Sequence, residues 1–238
     1  MRTIVLFLIL LGCGTSHITA QNDYLVTTIP NQEDPLSEEE QFIKENFPLQ
    51  LLCKWTPGMK FMFIPSGRDM FLPTLSVYET EKGADNSVLK HKILTFAGYE
   101  EKSQKLSNDM SYSTRLIFEC DGEKYYYEIK NTRPDEICEK NPRAYINGLV
   151  NLKDVDTAKD LLRGRKIYVQ SDMAQVDDAN SYSGYREVSI PVNTEATITA
   201  IGVGSQAYPV KIIFQDSQGH TYYLEVALSR TNSGMDVS

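Results

Sequence analysis

The strongest constraint on this chain is a phrase that it writes twice. Leu116–Ile129 reads LIFECDGEKYYYEI, and Lys211–Val226 reads KIIFQDSQGHTYYLEV. Gly122 corresponds to Gly219, Tyr125-Tyr126 to Tyr222-Tyr223, Glu128 to Glu225 and Ile129 to Val226. Each copy is a β-rich arm, a turn with glycine and an aromatic arm, which is the pattern of a β-hairpin. Asp121-Gly122 is a two-residue turn of the type that needs φ > 0 at both positions. Asp216-Ser217-Gln218-Gly219 is longer and suits a type I turn with a bulge. Alternation puts Tyr125, Tyr127 and Ile129 on one face, and Tyr222, Leu224 and Val226 likewise.

The echo extends upstream of the hairpin. Met59–Phe63 matches Arg165–Val169, with Gly58 opposite Gly164, and Ile93–Gly98 (ILTFAG) parallels Thr197–Gly202 (TITAIG). Order and turn positions agree, so the chain reads as a duplication. In the first unit Ser37 caps a helix Glu38–Asn46, with Glu40 at the capping-box position and Phe42 and Ile43 turned inward. Strands are expected at Met59–Ile64, Thr74–Thr80 and His91–Gly98, with a loop at Glu81–Ser87 and a polar stretch at Glu100–Asp109 before the hairpin. In the second, a helix Asp156–Leu162 ends at Gly164. A polar loop Ser171–Gly184 then precedes strands Glu187–Val192 and Ala196–Ile201.

Chains of this kind form small, partly open barrels, because curling a sheet removes exposed edges. Over Leu51–Ile129 and Leu161–Arg230 the sequence resembles the tandem SH3-like modules of exported bacterial envelope proteins. The resemblance implies a mostly β chain with two small SH3-like domains, each of about five strands with a short preceding helix. The expected division is a signal peptide at 1–20, a tether at 21–36, domains at 37–138 and 156–232, a linker at 139–155 and a tail at 233–238. It also implies a binding or scaffolding role and carries over no catalytic residue. In a barrel of that type the first and last strands lie close, which would bring Cys53 towards Cys138 as a staple.

The first twenty residues read as an export signal, with Arg2, an apolar run Ile4–Leu11 and a small, polar stretch to Ala20. Cleavage after Ala20 would release a soluble protein. Leu10-Leu11-Gly12-Cys13 instead resembles a lipobox, in which Cys13 would carry a lipid anchor, the one membrane attachment expected. Cys53, Cys120 and Cys138 then remain, and an oxidising compartment allows any of three pairings or none. The formal net charge is −8, from 32 acidic against 24 basic side chains. A phosphate backbone would be repelled on average, so nucleic acid is not an expected partner. An envelope protein or a glycan is.

The residues offer little chemistry. His91 and His220 come from different units, and no CxxC or HExxH spacing occurs, so no cofactor or metal is expected. A cysteine hydrolase would need a thiol at a helix start beside a histidine, which the placing of Cys53, Cys120 and Cys138 does not offer. Glu128 and Glu225 occupy equivalent sites in separate units and form no catalytic pair. Asp172, Asp177 and Asp178 lack the spacing of a calcium loop. The candidate binding residues are Tyr126, Glu128, Tyr223 and Glu225, on the outer hairpin face, where the rings could stack on a sugar or a peptide. Ile117 and Ile213 share that face and suggest that it is covered. The expected contact surface is a groove lined by the loops around Glu100–Asp109 and Ser171–Gly184.

Overall fold

The computed structural model describes residues 37–65, 72–106, 109–141, 145–181 and 183–229. The expected export signal, the tether, Cys13 and the tail 233–238 lie outside the described residues. The chain is mostly β: two six-stranded antiparallel sheets, one of them curled into a half-barrel, with a few short helices. The first sheet holds β1 (Lys60–Phe63), β2 (Ser76–Val77), β3 (Ile93–Leu106), β4 (Asp109–Cys120), β5 (Glu123–Lys130) and β6 (Leu149–Asn151), in the order β2-β5-β4-β3-β1-β6. The second holds β7 (Lys166–Val169), β8 (Met173–Asp177), β9 (Tyr185–Ser189), β10 (Thr194–Val203), β11 (Val210–Asp216) and β12 (Thr221–Val226), in the order β7-β10-β11-β12-β8-β9. The helices are α1 (Glu38–Asn46), α2 (Asn86–Leu89), α3 (Ile137–Lys140) and α4 (Leu152–Leu162).

Both sheets carry one five-strand frame, since β1-β3-β4-β5-β2 repeats as β7-β10-β11-β12-β8. Gly58 N–H donates to the Phe96 carbonyl at 2.8 Å, and Gly164 N–H donates to that of Ile198 at 2.8 Å. Lys60 pairs with Thr95 and Lys166 with Thr197, so Phe96 is the counterpart of Ile198. The sequence matching put Leu94 there and is corrected by two residues. A slip of two keeps every side chain on its own face, so alternation does not detect it. Both copies also break register at one place, between Phe96 and Gly98 and between Ile198 and Ala200. The hairpin turns follow their residues. Asp121 and Gly122 have φ of 51° and 85°, and Cys120 pairs with Glu123 across them.

Several segments depart from expectation. Glu100–Leu106 and Asp109, within the polar stretch expected before the hairpin, are strand, because β3 and β4 stay paired out to Leu106 and Asp109. Glu101, Ser103, Gln104 and Met110 are exposed on this outer ribbon, so no apolar period marked it as strand. Ser171–Gly184 contains β8, which joins the sheet beside Tyr223 and turns back into β9. The strand expected at Thr74–Thr80 shrinks to β2, and α2 begins within the loop expected at Glu81–Ser87. His91 precedes β3 in a left-handed turn, with φ 62°. The stretch 139–155 carries β6 and the first turn of α4. That helix starts at Leu152, four residues before the expected Asp156, because the Asn151 side chain caps it by accepting from Lys153 N–H at 3.0 Å.

Alternation builds the cores. Phe61, Phe63, Leu94, Phe96, Leu116, Phe118, Tyr125 and Ile129 point inward from the first sheet around Trp55, whose ring lies 4.3 Å from that of Phe61. Cys53, ahead of β1, is bonded to Cys138 on α3, with a Cα–Cα distance of 5.3 Å. Val169, Ala196 and Phe214 form a smaller core in the second sheet. A third cluster joins the halves: Phe47 after α1, Val150 of β6, Val155 and Ala158 of α4, and Ile198, Ile201 and Val210 of the second sheet. α1 has the expected bounds and capping box, with Ser37 N–H donating to Glu40 at 2.8 Å. Its Phe42 and Ile43 pack on this shared cluster.

Candidate functional site

The outer hairpin faces are where the sequence placed its binding residues, and both rings there are covered. Tyr126 is 4% exposed and Tyr223 is 6% exposed. In the first sheet the Arg115 guanidinium lies 4.1 Å from the centre of the Tyr126 ring, and Tyr78 meets that ring edge-on at 6.4 Å. Arg115, itself 4% exposed, donates from Nη2 to Glu81 at 2.8 Å. Lys102 donates to the same carboxylate at 2.8 Å, and the Tyr78 hydroxyl donates to Glu100 at 2.7 Å. The cations hold Glu81 well below the usual carboxylate range, at about 2, through the hydrogen bonds from Lys102 and then Arg115. Glu81 adopts φ 57°, a left-handed conformation rarely used by a residue with a side chain, at the tip of the turn that β2 enters.

The second sheet repeats the arrangement. Ile117 faces Tyr126 and Ile213 faces Tyr223, so Arg115 is the counterpart of Lys211. Lys211 Nζ lies 3.5 Å from the centre of the Tyr223 ring and 3.4 Å from Asp177, at the end of β8. β8 occupies the place of β2. Each frame therefore closes its outer face with an acid, a cation and a tyrosine, and each closure pins a short strand against the aromatic arm. A cation over an aromatic face is attracted by the ring quadrupole, the more so when desolvated. The copies differ in tightness: the Arg115 side chain is 5% exposed and that of Lys211 is 24%.

The outward glutamates are also engaged. Glu128 accepts from the Ser113 hydroxyl at 2.7 Å, and Glu225 accepts from Ser205 N–H at 3.1 Å. They stand on different sheets, so the structure does not bring Tyr126 and Glu128 together with Tyr223 and Glu225 as one site. The acid–cation–tyrosine closure was missed in the sequence because Glu81 and Arg115 are 34 residues apart. A signal for half of it was present, since aligning the hairpins puts Arg115 over Lys211 and Tyr126 over Tyr223.

The remaining candidates are dispersed. Cys53 and Cys138 are bonded to each other, and Cys120 is a buried free thiol. Burial pushes its pKa up, the opposite of what a nucleophilic cysteine needs. His220 is exposed and hydrogen-bonded to Asp216 at 3.0 Å, and His91 is exposed in its turn. Among the described residues, no group of three or more His, Cys, Asp and Glu could hold a metal ion, and no helix is long and apolar enough to cross a membrane. Where loops lining a groove were expected, Ile93–Leu106 and Met173–Asp177 are strands. A cleft of 630 Å³ instead separates the turn Pro57–Lys60 from the start of α4, with Lys60, Lys153, Asp156 and Asp160 on its walls. No protein-family model, curated protein or solved structure matches the chain.

Proposed function

We propose that this chain is a non-enzymatic binding or scaffolding protein exported to a bacterial cell envelope and built from two SH3-like units. The observation that carries the reading is the doubled five-strand frame, each copy closed on its outer face by its own acid, cation and tyrosine. Side chains spent on closing a sheet support a scaffold that presents edges and ribbons to a partner. The apolar run Ile4–Leu11 supports export, and the Cys53–Cys138 bond agrees with an oxidising compartment. The competing reading, glycan or peptide stacking on Tyr126 and Tyr223, is weakened because cations already lie over both rings. A cysteine hydrolase is weakened further by the raised pKa of the Cys120 thiol.

Isolated cell-wall sacculi and intact envelopes test the reading together. The full chain, tagged and expressed in a bacterial host, is expected to fractionate with the envelope and to cross-link to a discrete envelope protein. It is also expected to release no soluble wall fragments. Release that is abolished by Cys120→Ser would overturn the proposal in favour of a hydrolase. Sedimentation with bare sacculi that is lost in Tyr223→Ala would overturn it in favour of a glycan binder.

A further inference from the structure

The two frames differ at their flanks. β6 lies antiparallel along β1, with Phe61, Met62 and Phe63 opposite Asn151, Val150 and Leu149. β7, the counterpart of β1, is an edge, and among the described residues no strand pairs with its outer side. Lys60 corresponds to Lys166, so Met62 corresponds to Tyr168. Backbone groups alternate sides along an antiparallel strand. The Arg165 carbonyl accepts from Ile198 N–H at 2.9 Å and the Val169 carbonyl from Asn193 N–H at 2.7 Å, both on the inner side. The N–H and C=O of Lys166 and Tyr168 therefore face outward, as those of Met62 face β6. Tyr168 is 61% exposed, and Val192, one residue before the Asn193 that bonds Val169, is also exposed.

This edge is basic in an acidic chain. Arg163, Arg165 and Lys166 are all exposed, whereas the formal net charge is −8. Lys166 is paired with Glu195 at 2.7 Å, and among the described residues no ion pair engages Arg163 or Arg165. We propose that the outer edge of β7 accepts an extended acidic segment of a partner protein by strand addition, the mode that β6 displays on β1. The proposal rests on the binding-module reading and names the partner's chemistry. In the β6 arrangement the added strand runs towards the start of β1, ending with Asn151 opposite Phe61 before α4 begins. On β7 that end carries Arg163 and Arg165, so the acidic residues follow the paired ones in the partner. A second copy fits less well, because its own β7 brings the same cations to the edge.

The probe is a fluorescein-labelled peptide Leu-Val-Asn-Glu-Glu, with Leu-Val-Asn-Lys-Lys as control, titrated with the full chain and read by anisotropy at low salt. The acidic peptide is expected to bind roughly tenfold more tightly than the control, with the difference shrinking in 0.5 M salt, roughly the range where surface charges are screened within a few ångströms. Tyr168→Pro removes an outward N–H and no bond to β10, and should abolish binding. Arg163→Glu with Arg165→Glu leaves the backbone unchanged and should reverse the preference, so a folding defect in the proline variant does not decide the matter. Equal affinity for both peptides, no binding of either, or binding unaffected by both variants would overturn the proposal. So would a concentration-dependent dimer that Tyr168→Pro dissolves, which assigns the edge to a second copy. Any of these outcomes leaves the binding-module reading to the sacculus and cross-linking assays.

Discussion

Asp154 sits on α4 with only 4% of its surface exposed and accepts a hydrogen bond from the Ser229 hydroxyl. Burial raises its pKa from 3.8 to about 6, against the smaller opposing effects of Ser229 and Lys153. The folded value exceeds the unfolded one, so the folded chain holds an extra proton between about pH 4 and 6. This contribution to stability is fully present below the unfolded pKa and is lost as pH rises through the folded one, to a total of about 3 kcal/mol. Asp154→Asn keeps a polar partner for Ser229 without the charge. Calorimetric melting from pH 4 to 7 should show the variant gaining on the parent as pH rises; parallel curves would refute it. The two outer-face cations supply a second contrast. Arg115→Ala empties a buried position under Tyr126 and should cost about 2–4 kcal/mol, whereas Lys211→Ala should cost about 1 kcal/mol or less. Urea midpoints of the two variants measure the difference, and equal losses would contradict the asymmetry in burial.

Elements whose instructions are local were legible in the chain. Ser37 and Glu40 specify the start of α1, and Asp121-Gly122 specifies the hairpin turn, because capping and positive φ depend on neighbouring residues alone. The duplicated frame was legible through its glycines, while the two-residue slip between β3 and β10 was hidden by a period of two. β6 could not be read: three residues, Leu149–Asn151, become a strand only because β1 offers an edge. The outer β3–β4 ribbon was equally silent, since a strand exposed on both faces has no apolar rhythm. The Cys53–Cys138 bond ties the segment before β1 to α3 after β5, across 85 residues. Closing a loop of that size restricts the unfolded chain by about 4.6 kcal/mol in the chain-entropy account. Replacing both cysteines with alanine should lower the urea midpoint read by Trp55, the single tryptophan, which lies in the core that Cys53 touches. An unchanged midpoint would show that the bond contributes nothing to that sheet.

At the scale of the whole molecule, the stretch 139–155, expected as a linker, carries β6 and the start of α4. Two units joined by a linker alone would melt separately. The structure instead runs β6 into α4 without a break and seats Phe47 with Val150, Val155 and Ile198, so residues from both sheets and from α1 share one apolar cluster. Phe47 has no exposed surface, and truncating a phenylalanine in such a place costs about 3–5 kcal/mol. Trp55 belongs to a different cluster, in the first sheet. Were the units independent, Phe47→Ala would leave the Trp55 fluorescence transition where it stands. A shared core makes the unfolding cooperative, so the Trp55 transition should move to lower denaturant together with the far-UV circular dichroism transition, and the two should stay superimposed. Separation of the two curves in the variant, with Trp55 unmoved, would restore the picture of two modules on a linker. Coincident curves would make α1 and β6 the joint through which strain at one sheet is felt by the other.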